Sequence, residues 1–180
     1  MSALRIYVEG QDGAAKTPFC HALVEELRRR GHQVLYCAPF TEVNQALGSN
    51  VYHLWPTEYR RAASLILDAV RRARAEVVVF DRGPLTLERG LDDAQGLSSE
   101  ERAEILAQFP PGKHVFLDTS LERAQAGKRY TASPPPWSLA LDQDRRRDLA
   151  SSYTFAFRAQ MGYEDDLRAL AAACAEELAL

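Results

Sequence analysis

The sequence predicts an α/β fold in which a parallel sheet of four to five strands lies between helices on both faces, in three layers. Three observations predict it: short apolar runs typical of buried strands, helical periodicity between these runs, and a glycine-containing turn that joins the first strand to the first helix. The length of 180 residues suits one domain with a sizeable core, so we expect residues 1–180 to form a single domain.

Four strands are predicted from short segments that are apolar almost throughout. They are Leu4–Glu9, Gln33–Ala38, Glu76–Phe80 and His114–Asp118. Because the strands of a covered parallel sheet are buried on both faces, they lack the alternating pattern of a half-exposed strand. A fifth strand has a weaker signal, and Phe155–Met161 is the candidate for it.

The segments between and after these strands carry the apolar repeat of amphipathic helices. The first helix follows the turn after the first strand, presents Phe19, Leu23 and Leu27 on one face, and ends at Gly31. The further predicted helices are Glu58–Ala75, Ser98–Gln108, Asp144–Arg158 and Glu164–Leu180.

The turn between the first strand and the first helix carries the most informative motif. It resembles the pattern glycine, four residues, glycine, lysine, then serine or threonine, with Ala15 in place of the second glycine. In such a P-loop, backbone N–H groups surround a phosphate, and the positive end of the helix dipole adds to the attraction. We expect Lys16 to contact the β- and γ-phosphates of ATP and the Thr17 hydroxyl to bind Mg²⁺. The residues expected to bind the nucleotide are Gly10, Gly13, Ala14, Ala15, Lys16 and Thr17.

Ala15 is the one departure from the P-loop pattern. A Cβ at this position costs about 1–2 kcal/mol if the backbone needs a positive φ. Alanine has the smallest side chain that carries a Cβ, so we expect the loop to survive with reduced affinity. The alternative interpretation is an ordinary glycine-containing turn between a strand and a helix. The flanking strand and helix both lie where a P-loop requires them, which favours phosphate binding.

An acidic and a basic residue follow the third predicted strand. Asp81 and Arg82 leave the carboxyl end of this strand, which is where open α/β sheets bind their ligands. Asp81 is a candidate to hold Mg²⁺, directly or through water, or to orient an acceptor. Arg82 is a candidate to bind a phosphate with its fork of donors. The alternative is a structural Asp–Arg pair that caps a turn.

Composition excludes several other classes of function. The net charge of −3 argues against binding to duplex nucleic acid, which needs a basic surface. The three cysteines are far apart, which argues against structural zinc and a disulfide framework. No signal peptide and no apolar run of membrane-spanning length is present in the sequence, so we expect a cytoplasmic protein without a membrane partner.

Several motifs together resemble the thymidylate kinases and the related deoxynucleoside kinases. The resemblance rests on Val8–Thr17, on Phe80–Arg82 after the third strand and on Phe116–Ser120 at the fourth, and it covers roughly residues 4–130. It implies a P-loop nucleotide kinase fold with ATP as phosphoryl donor and Mg²⁺ as cofactor. It also implies a nucleoside monophosphate or a nucleoside as the small-molecule acceptor, and a homodimer.

The same resemblance implies residues for acceptor binding. Asp12 would face the acceptor sugar, and Arg82 would meet the acceptor phosphate. The segment Leu54–Arg60 is similar to the family's Leu-Phe-x-x-x-Arg, so Trp55 would stack on the base and Arg60 would read its edge. For Trp55 the alternative is a core tryptophan at the start of a helix.

Catalysis would consist of positioning and charge neutralisation, with little covalent work by the protein. The candidate catalytic residues are Lys16, Asp81, Arg82 and Arg129. Arg129 belongs to residues 127–138, which we expect to form a mobile lid where the related kinases place theirs. The run Arg145–Arg147 is basic too, but adjacent residues cannot share one helical face, and we expect most of this run to be solvated.

Two departures from the family keep other functions open. Ala15 replaces a P-loop glycine, and Cys37–Pro39 stands where the family often has Arg-Glu-Pro to contact the acceptor. One alternative is a kinase of the same framework with another small acceptor, because a fold does not determine a substrate. The other is a catalytically weakened nucleotide-binding protein.

Overall fold

A computed structural model of the chain describes residues 3–11, 13–120, 122–123, 144, 146, 148–161 and 166–180. Within these residues, five parallel strands form one sheet. They are β1 (Leu4–Gly10), β2 (Val34–Cys37), β3 (Val77–Asp81), β4 (Lys113–Thr119) and β5 (Phe157–Met161). Their order in the sheet is β2-β3-β1-β4-β5. The P-loop strand β1 is therefore central, with β3 and β4 as its neighbours.

Helices lie on both faces of this sheet. Those whose bounds the structure gives are α1 (Lys16–Arg29), α2 (Pro39–Leu47), α3 (Trp55–Arg72), α4 (Pro84–Leu91), α5 (Ser99–Leu106) and α6 (Leu167–Glu177). The described residues 122–123, 144, 146 and 148–150 are helical as well. A 3₁₀ turn at Val51–Leu54 precedes α3. None of the helices in the described part of the chain is long and apolar enough to span a membrane.

The alternation of side chains along β1 divides the core into two layers. Ile6 and Val8 pack with α1 and α6 on one face of the sheet. Tyr7 packs on the other face, against Phe80 of β3 and the inward side chains of α3. The predicted α/β fold with a parallel sheet between two helical layers is thus confirmed.

The candidate fifth strand is confirmed as β5, which begins two residues later than predicted, at Phe157. One sequence prediction needs correction: the helix predicted over Asp144–Arg158 does not reach its end, because Phe157 and Arg158 lie in β5. The side-chain hydroxyls of Ser151 and Ser152 donate to main-chain carbonyls three residues earlier, at 2.6 and 2.7 Å. Such bonds compete with helix continuation. The chain then joins the sheet, where the Ala156 N–H donates to the His114 carbonyl at 2.8 Å.

Helices α2 and α4 were not predicted from the sequence. Both are short, and both follow a strand almost at once. Each has a proline in its first turn, Pro39 and Pro84. A proline just after a strand is a recognised signal for a helix start, because the missing N–H has no partner there anyway.

Candidate functional site

The loop between β1 and α1 has the backbone geometry of a phosphate-binding turn. Gly10 has φ 143°, and a Cβ there would lie 2.1 Å from the main-chain oxygen of Leu117 on β4. Only glycine fits this position, since the loop must pass against the neighbouring strand. The loop then runs directly into α1, so the positive end of the helix dipole lies where the loop ends.

Ala15 adopts the strained conformation that the P-loop pattern indicates. Its φ and ψ are 53° and 35°, in the left-handed region, immediately before the first residue of α1. The cost of this conformation for a residue with a Cβ is about 1–2 kcal/mol. Ala15 therefore adopts the left-handed backbone conformation that glycine adopts more easily.

Lys16 is held inside the loop. Its side chain is buried, and Nζ donates to the main-chain oxygens of Gly10 at 3.1 Å and Gln11 at 2.6 Å. These carbonyls belong to the loop itself. The ammonium charge is consequently kept beside the loop backbone and away from the open surface.

Three elements bring oxygen atoms together next to the loop. Thr17, in the first turn of α1, donates from Oγ1 to Oδ2 of Asp81 at the end of β3, at 2.5 Å. The hydroxyl of Tyr36, on β2, donates to the same Oδ2 at 3.2 Å. Asp81 is only 7% exposed. A carboxylate in contact with a hydroxyl is the kind of hard oxygen donor set that suits Mg²⁺, so the residues present fit the metal expected from the sequence.

Arg82 leaves β3 in an unusual backbone conformation. Its φ is 77°, while its N–H still donates to the Val8 carbonyl at 3.0 Å, as in the sheet. The chain turns sharply here and enters α4. Positive φ at a non-glycine residue is uncommon and often found at functional sites.

Glu9 holds the start of α4 in place, a role that the sequence analysis missed. Its fully buried carboxylate accepts hydrogen bonds from the N–H of Leu85 at 3.0 Å and of Thr86 at 3.3 Å, and from the Thr86 hydroxyl at 2.6 Å. Burial raises the pKa of Glu9, an effect that these hydrogen bonds and the charges of Arg82 and Arg146 oppose. The sequence did contain an indication of this role, because Glu9 is an acidic residue in an otherwise largely apolar strand segment.

Arg146 is buried, although most of its run was expected to be solvated. It is only 4% exposed. It lies close enough to Glu9 for its charge to lower the pKa of that carboxyl, as does Arg82. Two guanidinium groups thus act on the carboxyl end of β1, beside the P-loop. Arg145 and Arg147 lie outside the described residues.

The structure disagrees with base stacking by Trp55. This ring is 1% exposed, and a Cβ on Gly90 of α4 would lie 2.5 Å from its Cε2 atom. The ring is therefore packed between helices, as a core tryptophan at the start of α3. No face of it is left for a base in this conformation.

Arg60 lies at the surface between α3 and α5. Its side chain is 74% exposed, and Nε donates to Oε1 of Glu101 at 2.6 Å. The guanidinium also lies over the ring of Tyr59, 5.3 Å from its centroid. Its role in reading an acceptor stays a prediction, as do those of Asp12, Arg129 and the lid at 127–138, which lie outside the described residues.

A parallel sheet of this strand order, with a P-loop after its central strand and helices on both faces, is the fold of P-loop kinases. No protein-family model matches the chain, and no curated protein matches it. Solved structures similar to this chain include three shikimate kinases.

The shikimate kinase from Bacteroides thetaiotaomicron superposes with a TM-score of 0.67 at 16% identity, covering 99% of this chain and 100% of that one. The enzyme from Acinetobacter baumannii in complex with shikimate gives 0.62 at 18% identity, with 99% and 94% covered. The enzyme from Aquifex aeolicus gives 0.58 at 16% identity, with 98% and 96% covered. At these identities the likeness concerns the fold.

Proposed function

We propose that this protein is an ATP- and Mg²⁺-dependent phosphotransferase that transfers the γ-phosphoryl group of ATP to a small-molecule acceptor. The observation that carries the proposal is the contact between Thr17 and Asp81, at 2.5 Å, directly behind the P-loop. The two residues are 64 positions apart in the sequence. An ordinary strand-to-helix turn gives no reason for a buried carboxylate to meet the first-turn hydroxyl of the helix.

Different residues of the site would bind the phosphates and the metal ion. The loop backbone and Lys16 would bind the β- and γ-phosphates, and Thr17 and Asp81 would hold Mg²⁺. When bound, Mg²⁺ neutralises charge on the phosphates as the terminal group is transferred. The helix dipole of α1 adds a fixed positive potential at the same point. Positioning and electrostatic stabilisation together account for most of the catalysis in this class of reaction.

For the acceptor, we favour a small anionic alcohol over a nucleotide. The burial of Trp55 removes the aromatic surface proposed for a base, and Cys37–Pro39 lacks the charged residues of the nucleotide kinases. One of the similar solved structures holds shikimate, which makes shikimate the first compound to test. Arg82 and Arg146 are the candidates to bind the anionic group of the acceptor, since both act electrostatically at the end of β1.

An acceptor panel tests this function. The purified protein would be incubated with Mg·ATP and, in turn, shikimate, thymidylate, thymidine or no acceptor, and ADP release would be measured. Acceptor-dependent ADP release with shikimate supports our assignment, and release with thymidylate alone supports a nucleotide kinase. ATP binding without turnover on any acceptor supports the weakened nucleotide-binding protein. No ATP binding at all contradicts the proposal.

A further inference from the structure

Asp81 accepts hydrogen bonds from two side chains, those of Thr17 and Tyr36. The Tyr36 hydroxyl donates to Oδ2 of Asp81 at 3.2 Å, the same oxygen that accepts from Thr17. The strand register explains how it reaches: Tyr36 lies beside Val79, two residues before Asp81. Side chains two apart in a strand share a face, so Tyr36 and Asp81 both point toward α1.

The ring of Tyr36 is itself fixed by α1. His21 packs against it, with ring centroids 4.4 Å apart and an interplanar angle of 35°. His21 lies four residues after Thr17, so the two side chains stand one above the other on the same face of the helix. One face of α1 thus supplies both the hydroxyl that bonds Asp81 and the ring that orients its other donor.

The Tyr36 hydroxyl keeps its proton. Burial raises its pKa, and the negative charge of Asp81 raises it further. The neutral hydroxyl is the donor in the hydrogen bond to Asp81. The apolar body of the ring packs between α1 and the sheet, while its polar end meets the carboxylate, which is a common arrangement for a half-buried tyrosine.

We infer that Tyr36 is a positioning residue for the metal-holding carboxylate: its hydroxyl fixes Asp81 with Oδ2 against Thr17, in the arrangement that binds Mg²⁺ together with ATP. The inference rests on the proposed function. A carboxylate that ligates a metal is usually oriented by an outer hydrogen bond, and losing such a bond typically costs about 10–100-fold in metal affinity. Tyr36 therefore acts through Asp81.

The test measures how strongly Mg²⁺ improves ATP binding. The dissociation constant of ATP would be determined by isothermal titration in Mg²⁺ and in EDTA, and the ratio of the two is the metal coupling factor. We expect Tyr36→Phe to lower this factor by about 10-fold or more, with ATP affinity in EDTA unchanged. His21→Ala, at an exposed position, should lower it in the same direction by a smaller amount, because it loosens the ring.

Tyr7→Phe is the matched control. It also removes a hydrogen-bonded tyrosine hydroxyl, which donates to the Pro110 carbonyl at 2.8 Å on the other face of the sheet. Its coupling factor should equal that of the wild type.

The outcomes separate the two proposals. If the wild type binds no ATP in either buffer, the proposed function is wrong and the inference falls with it. If the wild type shows coupling and Tyr36→Phe shows the same factor, or loses ATP affinity equally in both buffers, only the positioning role is overturned. Circular dichroism checks the fold of each variant. Should Tyr36→Phe fail to fold, the factor of His21→Ala decides, and an unchanged value overturns the inference.

Discussion

At the scale of single residues, Ala15 shows how the loop keeps its conformation under strain. The residue sits at φ 53°, where a Cβ is unfavourable, and it is followed at once by Lys16 and α1. The neighbouring Ala14 is fully buried and is not among the described residues with positive φ. Substitution by glycine is therefore expected to change the free energy of unfolding in opposite directions at these two positions.

Ala15→Gly should raise the free energy of unfolding by about 1 kcal/mol, because glycine adopts positive φ without steric cost. It should also strengthen ATP binding. Ala14→Gly, the control, should lower the free energy of unfolding by about 0.5–1 kcal/mol through lost backbone restriction. Urea unfolding of both variants checks this. An Ala15→Gly variant less stable than the wild type would contradict the strained conformation.

His114 is a second residue whose surroundings determine its chemistry. Its ring lies 5.4 Å from the rings of both Tyr7 and Tyr153, and its buried Nδ1 has no hydrogen-bond partner in the structure as described. The two tyrosine hydroxyls bond elsewhere, to Pro110 and Glu88. Burial lowers the pKa of His114, so the folded protein keeps the ring neutral at pH values where the unfolded chain protonates it.

We therefore expect the folded state to lose stability as the pH falls below about 6.5, the pKa of an unperturbed histidine. The unfolded state then binds a proton that the folded state does not, and the loss approaches about 1.4 kcal/mol per pH unit. Glu9, whose pKa is raised above 4.5, acts in the opposite direction, because above pH 4.5 the folded state binds a proton that the unfolded chain releases. Comparing wild type and His114→Gln by urea unfolding at pH 7.5 and 5.5 isolates the histidine. Equal pH dependence in both proteins would refute its role.

Arg146 provides a test of acceptor binding at the residue scale. Arg146→Gln should raise the KM for the acceptor about tenfold or more, because a charge-assisted hydrogen bond contributes about 1.5–3 kcal/mol. The KM for ATP should stay unchanged. Arg158→Gln is the control, since this arginine is 55% exposed and faces Asp118 at 3.7 Å. A larger effect on ATP than on the acceptor would remove Arg146 from the acceptor site.

At the scale of elements, Glu9 couples β1 to the start of α4. Its carboxylate binds two N–H groups and one hydroxyl in the first turn of that helix, and the Asp81–Arg82 turn lies just before it. The conformation of this turn therefore depends on a side chain from the strand that leads into the P-loop.

Glu9→Gln should lower the free energy of unfolding by about 1–3 kcal/mol, because a buried donor loses its acceptor. It should also weaken acceptor binding, since Arg82 loses its fixed neighbour. Ser98→Ala removes an ordinary cap, in which Oγ accepts from the Glu101 N–H at 3.1 Å, and should cost about 1 kcal/mol of stability without affecting the acceptor. Thermal unfolding and acceptor KM, measured for both, check the difference. If Glu9→Gln lowers the thermal stability but leaves the acceptor KM unchanged, the carboxylate stabilises the start of α4 and has no part in acceptor binding.

The sequence predicted the strands well because covered parallel strands are short and uniformly apolar. Its errors lie in elements whose signals are local. The Asp144–Arg158 prediction followed composition, whereas the hydroxyls of Ser151 and Ser152 bond back to the main chain. Helices α2 and α4 were missed because each is nine residues or fewer, too short to show a clear apolar repeat. Neither has a side-chain N-cap such as Ser98, which marks the equally short α5.

At the scale of the whole molecule, the parts of the site that could be predicted are those that the topology brings together. The carboxyl ends of parallel strands meet at one edge of the sheet, which is why Thr17 and Asp81 were expected close together and are. Trp55 could not be placed, because an aromatic residue at a helix start has the same pattern whether it lines a cleft or fills the core. Glu9 and Tyr36 were missed because each looks like an ordinary strand residue.

The central claim is that the loop before α1 binds the phosphates of Mg·ATP, and Lys16→Ala tests it most directly. Removal of the ammonium group should weaken Mg·ATP binding about 10–100-fold in isothermal titration, the value of one or two charge-assisted hydrogen bonds. The matched control is Lys113→Ala, whose Nζ donates to the Leu178 carbonyl at 2.7 Å; it should bind as the wild type does, with thermal unfolding confirming that both variants fold. Equal Mg·ATP affinity in the wild type and Lys16→Ala, or no affinity in the wild type, would contradict the account.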